Sequence, residues 1–397
     1  MSDANRVNFA YKTYKDSDQT YGVVPVSAPT LKDFLRISDS FGQNPSTMES
    51  TTLRSDQMRQ DILRKNIAPA GDVAFNLCYG GPDDLISALL GSAWGADVNL
   101  SGDIQCVDSG NKFQSNSTTT GPSFASIVVG QWIKVAGMTA SNNNGYFKVI
   151  SKDISNTAAE VIGVAGTAIT DATAHAGTIK GSLIQNGTDK YWCIIEKAYL
   201  DLSNIFDSFL GVRVESMALN IKTADAISGS FKFQGQSAAG TGTATLGNGS
   251  NTAAPTTQEL NSNDHVTSVY MDNALATFSA AELSFTFQKG MRQKGKINLF
   301  GPFDIGVGVI TCKGTLNCYF EDRTLLNKAR SFDEVGFAVQ MVDDAGNCYI
   351  IDIPAARISG GDPVITGIDT DVMSNFTFDA KIDSVSGKMF SISKFAV

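Results

Sequence analysis

Residues 71–91, GDVAFNLCYGGPDDLISALLG, alternate apolar and polar side chains and then change period. Val73, Phe75, Leu77 and Tyr79 fall on one side of an extended chain. Asp72, Ala74, Asn76 and Cys78 fall on the other, the period-two pattern of a strand with one buried face. The run that follows reads as a short helix, with Asp83 and Asp84 in its first turn, where carboxylates suit the helix dipole. The arrangement returns at residues 312–329, CKGTLNCYFEDRTLLNKA. There Leu316, Cys318 and Phe320 alternate, and Glu321 and Asp322 precede a second short helix.

The two stretches align at an offset of 241 positions, which keeps Phe75, Leu77 and Tyr79 on the same face as Leu316, Cys318 and Phe320. A following strand aligns at an offset of 156, with Ile194, Ile195 and Glu196 against Ile350, Ile351 and Asp352. The difference of 85 residues lies in the first half, where residues 98–187 change character to low charge and dense Ser, Thr, Asn and Gly. This segment carries its own strand patterns and is expected to be a small inserted β-module with a core around Trp132, Ile133, Val135, Tyr146, Phe147 and Val149. Residues 236–258 are almost without charge or large side chains and read as a flexible linker or loop. The expected organisation is a first β-unit over 1–97 and 188–235, the module over 98–187, the linker over 236–258 and a second β-unit over 259–397. With 37 glycines, 10 prolines and no long helical periodicity, the fold class is mainly β: duplicated sandwich or barrel units, each with a flanking short helix.

The net charge of −9 argues against a duplex-gripping groove, which needs clustered Lys and Arg. The first residues lack the apolar run of a secretory signal, and no stretch of 18 apolar residues could cross a membrane as a helix. A reducing cytoplasm is the expected place of synthesis, and the six cysteines are expected as thiols packed in strands. The two histidines, His175 and His265, are expected in small-residue or polar loops. Metal-ligand spacings, nucleophile elbows and phosphate-binding glycine loops are missing from the sequence. The reading is therefore not an enzyme, with no catalytic, cofactor or metal site. The pair Asp83–Asp84 reads as a helix start.

The stretch TLRSDQMRQDILRKNIAPAGDVAFNLCYGGPDDLISALLGSAW, together with FEDRTLLNKARSFDEVGFAVQMVDDAGNCYIIDIPAARISGGDPVITGIDTDVMSNFTFDAKID, resembles the tail tube (major tail) proteins of long, non-contractile-tailed bacteriophages. The resemblance implies a β-sandwich flanked by a helix, in rings stacked into a hollow tube around a tape-measure protein. Double-stranded DNA passes through without sequence-specific binding, and tail-tip and tail-terminator proteins meet the tube ends. It implies a place in the virion tail, with assembly in the host cytoplasm and no membrane partner. Inserted immunoglobulin-like or similar modules decorate the outside in some members, which fits 98–187. Six units form such a ring, so a duplicated chain would close as a homotrimeric pseudo-hexamer, with a hexameric ring as the alternative. Four lumen strands per unit give a barrel of about 24 strands, roughly 26 Å in backbone radius, with a bore on the order of 40 Å.

Within that frame the candidates facing the lumen are Asp369, Asp371, Asp379, Lys381 and Asp383, with Lys222 and Lys232 from the matching strand pair, where Arg213 and Glu215 also fall. A bulge near Ser216 would reverse the latter face, and an ordinary solvated sheet is the competing reading. Two charged segments, 42–67 and 288–304, are candidate arms between rings. They carry Glu49, Arg54, Asp56, Arg59, Asp61, Arg64 and Lys65 in one, and Lys289, Arg292, Lys294 and Lys296 in the other. Mobile surface loops are the alternative. A virion-surface carbohydrate-binding protein, with Trp132, Tyr146 and Trp192 as stacking platforms, and a secretion-system tube of the same fold remain the competing functions.

Overall fold

The computed structural model describes residues 3–107, 111–115, 121–153, 160–165, 169–170, 172–203, 205–365 and 367–397. The first part of the chain forms β1 (Val7–Lys15), β2 (Lys32–Asp33), β3 (Ser38–Asp39), β4 (Gly42–Glu49), β5 (Ile62–Asn76) and helix α1 (Asp83–Leu90). Then come β6 (Val98–Val107), β7 (Lys112–Ser115), β8 (Trp132–Ala136), β9 (Gly145–Asp153), β10 (Val161–Ala165) and β11 (Ala172–Ile184). Next are β12 (Tyr191–Tyr199), β13 (Phe206–Lys222), β14 (Ser228–Gln234) and β15 (Ser237–Gly242). The last part holds β16 (Val266–Met271), β17 (Ala274–Leu275), β18 (Ala280–Lys294), β19 (Asp304–Tyr319) and helix α2 (Thr324–Ser331). It ends with β20 (Glu334–Val342), β21 (Cys348–Gly360), β22 (Met373–Ala380) and β23 (Ser391–Phe395).

The antiparallel ladders build one wide inner sheet in the order β4, β5, β14, β13, β18, β19, β22, β21, with β3 continuing the outer edge beside β5. Two long strands leave this sheet to join a second layer. The first residues of β13 pair with β12 and β15, and the first residues of β21 pair with β20 and β23. Between the layers lies one core rich in phenylalanine, including Phe75, Phe231, Phe233, Phe285, Phe287, Phe378 and Phe390. The rings of Phe75 and Phe231 stack at 4.9 Å, and Phe287 meets Phe390 edge-on at 4.9 Å.

Each half presents its ladders in one order. In the first, hairpin β4–β5, helix α1 and strands β12, β13 and β14 follow one another, and β5 pairs β14, β14 pairs β13, β13 pairs β12 and β12 pairs β1. In the second, hairpin β18–β19, helix α2 and strands β20, β21 and β22 follow, and β19 pairs β22, β22 pairs β21, β21 pairs β20 and β20 pairs β16. The helices α1 and α2 start 241 positions apart, have 8 residues each, and end at left-handed residues, Gly91 and Phe332. The alignment of Ile194–Glu196 with Ile350–Asp352 does not survive the ladders: it sets β12 against β21, whereas β12 and β20 hold the same place. Both β20 and β21 carry an apolar run followed by an acid, Asp343 and Asp352, so alternation alone could not separate neighbours in a layer. Between helix and next strand lie residues 91–190 in one half and only Phe332 and Asp333 in the other.

Strands β6–β11 enclose a core of their own, with Ile104, Phe113, Ile133, Val135, Phe147, Val149 and Ile179. Trp132 and Tyr146, expected in that core, point the other way. Period two on β8 and β9 sends Ile133 and Phe147 inward and Trp132, Tyr146 and Lys148 outward, onto the second layer of the body. Trp132 packs on Tyr270 at 5.0 Å, Tyr146 on Phe395 at 5.1 Å, and Lys148 forms a buried ion pair with Asp352 at 3.0 Å. The end of β11 also adds to β23, with Ser182 opposite Lys394. Along β21, Tyr349, Ile351 and Ile353 face the main core, whereas Cys348, Ile350 and Asp352 face this layer of side chains. The β6–β11 segment therefore lies across the body from the inner sheet.

Residues 236–258, expected as a linker, are bound to the body instead. Ser237–Gly242 pairs with β13, and the buried Glu196 carboxylate accepts from the Thr245 hydroxyl at 2.6 Å and the Leu246 amide at 2.7 Å. Leu246 and Tyr21 pack beside Trp192, covering the first half's second layer with loops. An uncharged, small-residue segment can lie this closely over a buried acid because it adds no charge to desolvate.

Replacing Lys148 by alanine leaves the Asp352 carboxylate, already pushed upward by burial, without its ion-pair partner. Removing one partner of such a pair costs about 3–5 kcal/mol, whereas replacing both by apolar groups can be neutral. Urea melts should show a large loss for Lys148→Ala and recovery of most of it in Lys148→Met/Asp352→Leu. Equal losses in both would disprove the pair's structural role.

Candidate functional site

The inner sheet has one face on the core and one open face, and period two decides which side chains reach the latter. On β14 these are Ser228, Ser230, Lys232 and Gln234, and on β13 Ser216, Ala218, Asn220 and Lys222. On β18 they are Glu282, Ser284, Thr286 and Gln288, opposite Thr311, Lys313, Thr315 and Asn317 of β19. Beyond lie Asn375, Thr377 and Asp379 of β22, then Arg357 and Ser359 of β21. At the other side Asp72, Ala74 and Asn76 of β5 complete the surface. Hydroxyls and carboxamides dominate it, with Ser284 and Thr315 bonded at 2.7 Å and Ser359 and Thr377 at 2.8 Å.

Its charges stand in opposite pairs. Asp379 holds Lys313 at 2.8 Å, Lys222 sits opposite Glu282, and Lys232 sits opposite Asp72 and within 3.5 Å of Glu215. A surface of this kind presents no cluster of unpaired cations to a phosphate backbone. Of the expected lumen residues, Asp379, Lys222 and Lys232 share this face. Asp369 and Asp371 lie instead in the loop between β21 and β22. Lys381 follows β22 and pairs with Glu334, and Asp383 caps a turn by accepting from the Ser386 amide at 2.7 Å. Arg213 lies opposite Gln234, on the other face from the core residues Val212 and Val214, yet it is buried there, bonded to Asp16 at 2.9 Å and set over the Tyr21 ring at 4.3 Å. Lys313, Glu282, Asp72 and Arg357 were missed, although AELSFTFQ and CKGTLN alternate plainly enough to expose the first two.

Both charged arms are hairpins that outrun the sheet. Hairpin β4–β5 holds the first, with a tip over residues 50–61, and β18–β19 holds the second. Glu49 pairs with Arg59 at 2.7 Å, Arg54 bonds Asp56 and Gln60, and the Asp61 carbonyl accepts from the Ser50 amide at 2.9 Å. Lys294 pairs with Asp304 at 2.6 Å, while Lys65, Arg292 and Lys296 are exposed. The arms touch: the Ile67 amide donates to the Phe300 carbonyl at 2.9 Å, and Arg64 lies over the Phe300 ring at 3.8 Å. Their tips expose apolar side chains, with Leu53 98% and Ile297 96% exposed. Lys289 is no part of this surface. It alternates with Phe285 and Phe287 into the core and is 6% exposed.

Groups that could do chemistry are occupied structurally. All six cysteines are buried thiols, and burial pushes Cys193 and Cys348 up to about 12 and Cys318 up to about 11. Asp83 accepts from Tyr349 and from Lys394 at 2.9 Å, and Asp84 from Lys32 at 2.8 Å, so the acid pair pins α1. Buried His265 accepts the Asn261 amide at 2.9 Å, and the backbone of His175 lies in β11, paired with Ile104, rather than in a loop. Among the described residues there is no group of His, Cys, Asp and Glu that could hold a metal ion. Trp132 and Trp192 are buried and Tyr146 packs on Phe395, so these rings form no exposed stacking platform.

The model of the phage tail tube protein family matches residues 5–380. The match runs through both halves and the β6–β11 segment, and the chain belongs to this family. It is a structural subunit of a phage tail, of a family that assembles into a tube and is non-enzymatic. The comparison with curated proteins finds no match. No helix among the described residues is long and apolar enough to cross a membrane.

Burial, with Arg213 nearby, holds the Lys289 ammonium down at about 8. The unfolded chain restores a value near about 10.4, so between those values folding releases a proton and gains stability as pH rises. At pH 7 the buried charge is a cost. Lys289→Met should therefore melt higher than the parent at neutral pH, and its advantage should shrink toward pH 10. An advantage independent of pH would rule out ammonium burial as the cause.

Proposed function

We propose that this chain is the tail tube subunit of a non-contractile-tailed phage, closing as three copies per ring around a DNA conduit. The observation that carries this reading is the inner sheet: eight strands per chain, in two sets of four with the same ladder order. Three chains then supply the 24 strands of the bore, with hexameric rings as the competing stoichiometry. Each half is a copy of one tube unit, the first over 1–97 and 188–235 and the second over 259–397. The β6–β11 module, over 98–187, decorates the exterior, which its place across the core from the open face supports. A covered exterior also leaves no room for a closely fitting sheath.

The open face is the lumen wall. Paired charges among hydroxyls let duplex DNA and a tape-measure protein slide without a cation cluster to hold phosphate. Closure removes the free edges of the sheet and makes the ring self-limiting. The hairpin arms stack one ring on the next, their exposed Leu53 and Ile297 finding cover there. Tail-tip and tail-terminator proteins would meet the two tube ends, after assembly in the host cytoplasm.

Negative-stain microscopy of the purified chain should show tubes, and replacing tip residues 50–61 by a two-residue turn should give separate rings. Tubes of normal length from the shortened chain would dismiss the arm's role, and a persistent monomer of the parent would dismiss the tube reading. In assembled tubes, Asp72→Asn/Glu282→Gln/Asp379→Asn removes the carboxylates that stand opposite Lys232, Lys222 and Lys313. DNA retention should rise, and fall again as salt is added; unchanged retention would place this face elsewhere.

A further inference from the structure

The ladder β13–β18 joins the two halves, and its counterpart at the far side of the chain has one strand missing. Residues Ser216–Lys222 of β13 pair with β14 on one side and with Gln288–Glu282 of β18 on the other. In the second half, β21 takes the place of β13. Its residues Ile358, Ser359 and Gly360 pair with β22 on one side, and no ladder runs on their other side among the described residues. In the first half, segment 38–43 takes the place of β18. Its one ladder among the described residues is with β5, and the Lys197 ammonium bonds the Phe41 carbonyl and the Asp39 carboxylate there. The chain thus ends its inner sheet in two edges that carry no further strand and match the two strands it has already joined in the middle.

We infer that the ring closes through an antiparallel ladder between residues 358–360 of one copy and residues 39–41 of the next, repeating the β13–β18 seam. This rests on the ring reading above and fixes its register. Within the chain, Met217 faces Phe287 on the core side and Ala218 faces Thr286 on the open side. Met217 shares its β14 partner's place with Ile358, since Phe231 faces Met217 as Phe378 faces Ile358. Phe287 faces Cys312, and Gly71, 241 positions earlier, lies against Phe41. Ile358 therefore meets Phe41 of the next copy, and Ser359 meets its Ser40.

The faces agree without adjustment. Phe41 and Ile358 are buried toward the core, while Ser40 and Ser359 are exposed on the open face. Both rims also carry apolar side chains with no partner in one chain: Leu35 and Ile37, each 60% exposed, on one, and Ile365 and Ile368, 80% and 92% exposed, on the other. Free strand edges flanked by such residues template association unless another strand covers them. An eight-stranded edge-to-edge repeat offers one specific cover, the same chain.

Directly opposed residues in an antiparallel pair stand about 4.5–5.5 Å apart at Cα, within disulfide reach, whereas the diagonal neighbour is about 7–8 Å away. The full chain with Ser40→Cys/Ser359→Cys, assembled and then oxidised, should run as covalent dimers and trimers on a non-reducing gel. Each single variant should stay monomeric, since the native cysteines are buried. Ser38→Cys/Ser359→Cys should link several-fold less. Tubes that form without a disulfide, or that link better through position 38, would overturn the seam or its register while leaving the tube reading intact. Absence of any ring or tube would overturn both. In the unmodified protein, hydrogen exchange at residues 38–43 and 358–361 should slow by at least about tenfold on assembly; unchanged exchange would also overturn the seam.

Discussion

The structure depends on the ladder between Ser216–Lys222 and Glu282–Gln288. Remove it and the chain is two four-stranded sheets, each with edges open to water. With it, Leu219, Met217, Phe285 and Phe287 close one core across the join. Among the described residues, every inner strand is held on both sides except the outermost two, and at those two another chain could extend the sheet.

The second layer explains why the inner face can stay polar and thin. The burial that stabilises the fold lies behind it, where β12, β20 and the first residues of β13 and β21 complete the sandwich. The outer surface of that layer is covered differently in the two halves. Loops around Tyr21 and Leu246 cover Trp192 in one, and the β6–β11 module covers Ile350 and Asp352 in the other. The acid pair on α1 ties the halves further, since Asp83 holds Tyr349 and Lys394 from the distant end of the sequence. Titratable groups here are fastenings, which agrees with a family whose members work by assembly.

Much of this was legible in the sequence because alternation is a local signal. Val73, Phe75 and Leu77 announce their buried face, and the spacing of α1 and α2 repeats the offset of the strands before them. Alternation failed where two cores compete for one strand. On β8, Trp132 shares its face with Lys134 and Ile133 shares its face with Val135, so parity already separated them, but only the docked module buries Trp132 on the outward face. It failed again at Arg213, which faces away from Val212 and Val214 but is covered there by Tyr21 and Asp16. Lys289 misled by its charge, although its parity with Phe285 and Phe287 already placed it inside. The segment 236–258 looked unattached because its anchor, Glu196, lies some fifty residues away.

In the proposed ring, duplication would change how a tube is built. A ring of single-unit chains has one kind of seam; a ring of double-unit chains has half of its seams made covalently continuous during synthesis, and fewer bodies to bring together. It would also let the two copies diverge, so that the first half carries in its sequence the module that covers the second half's outer layer. The central claim is that three such chains make the ring. Native mass spectrometry of released rings tests it most directly. The account predicts three copies of the 42.2 kDa chain. A ring of six copies would contradict it.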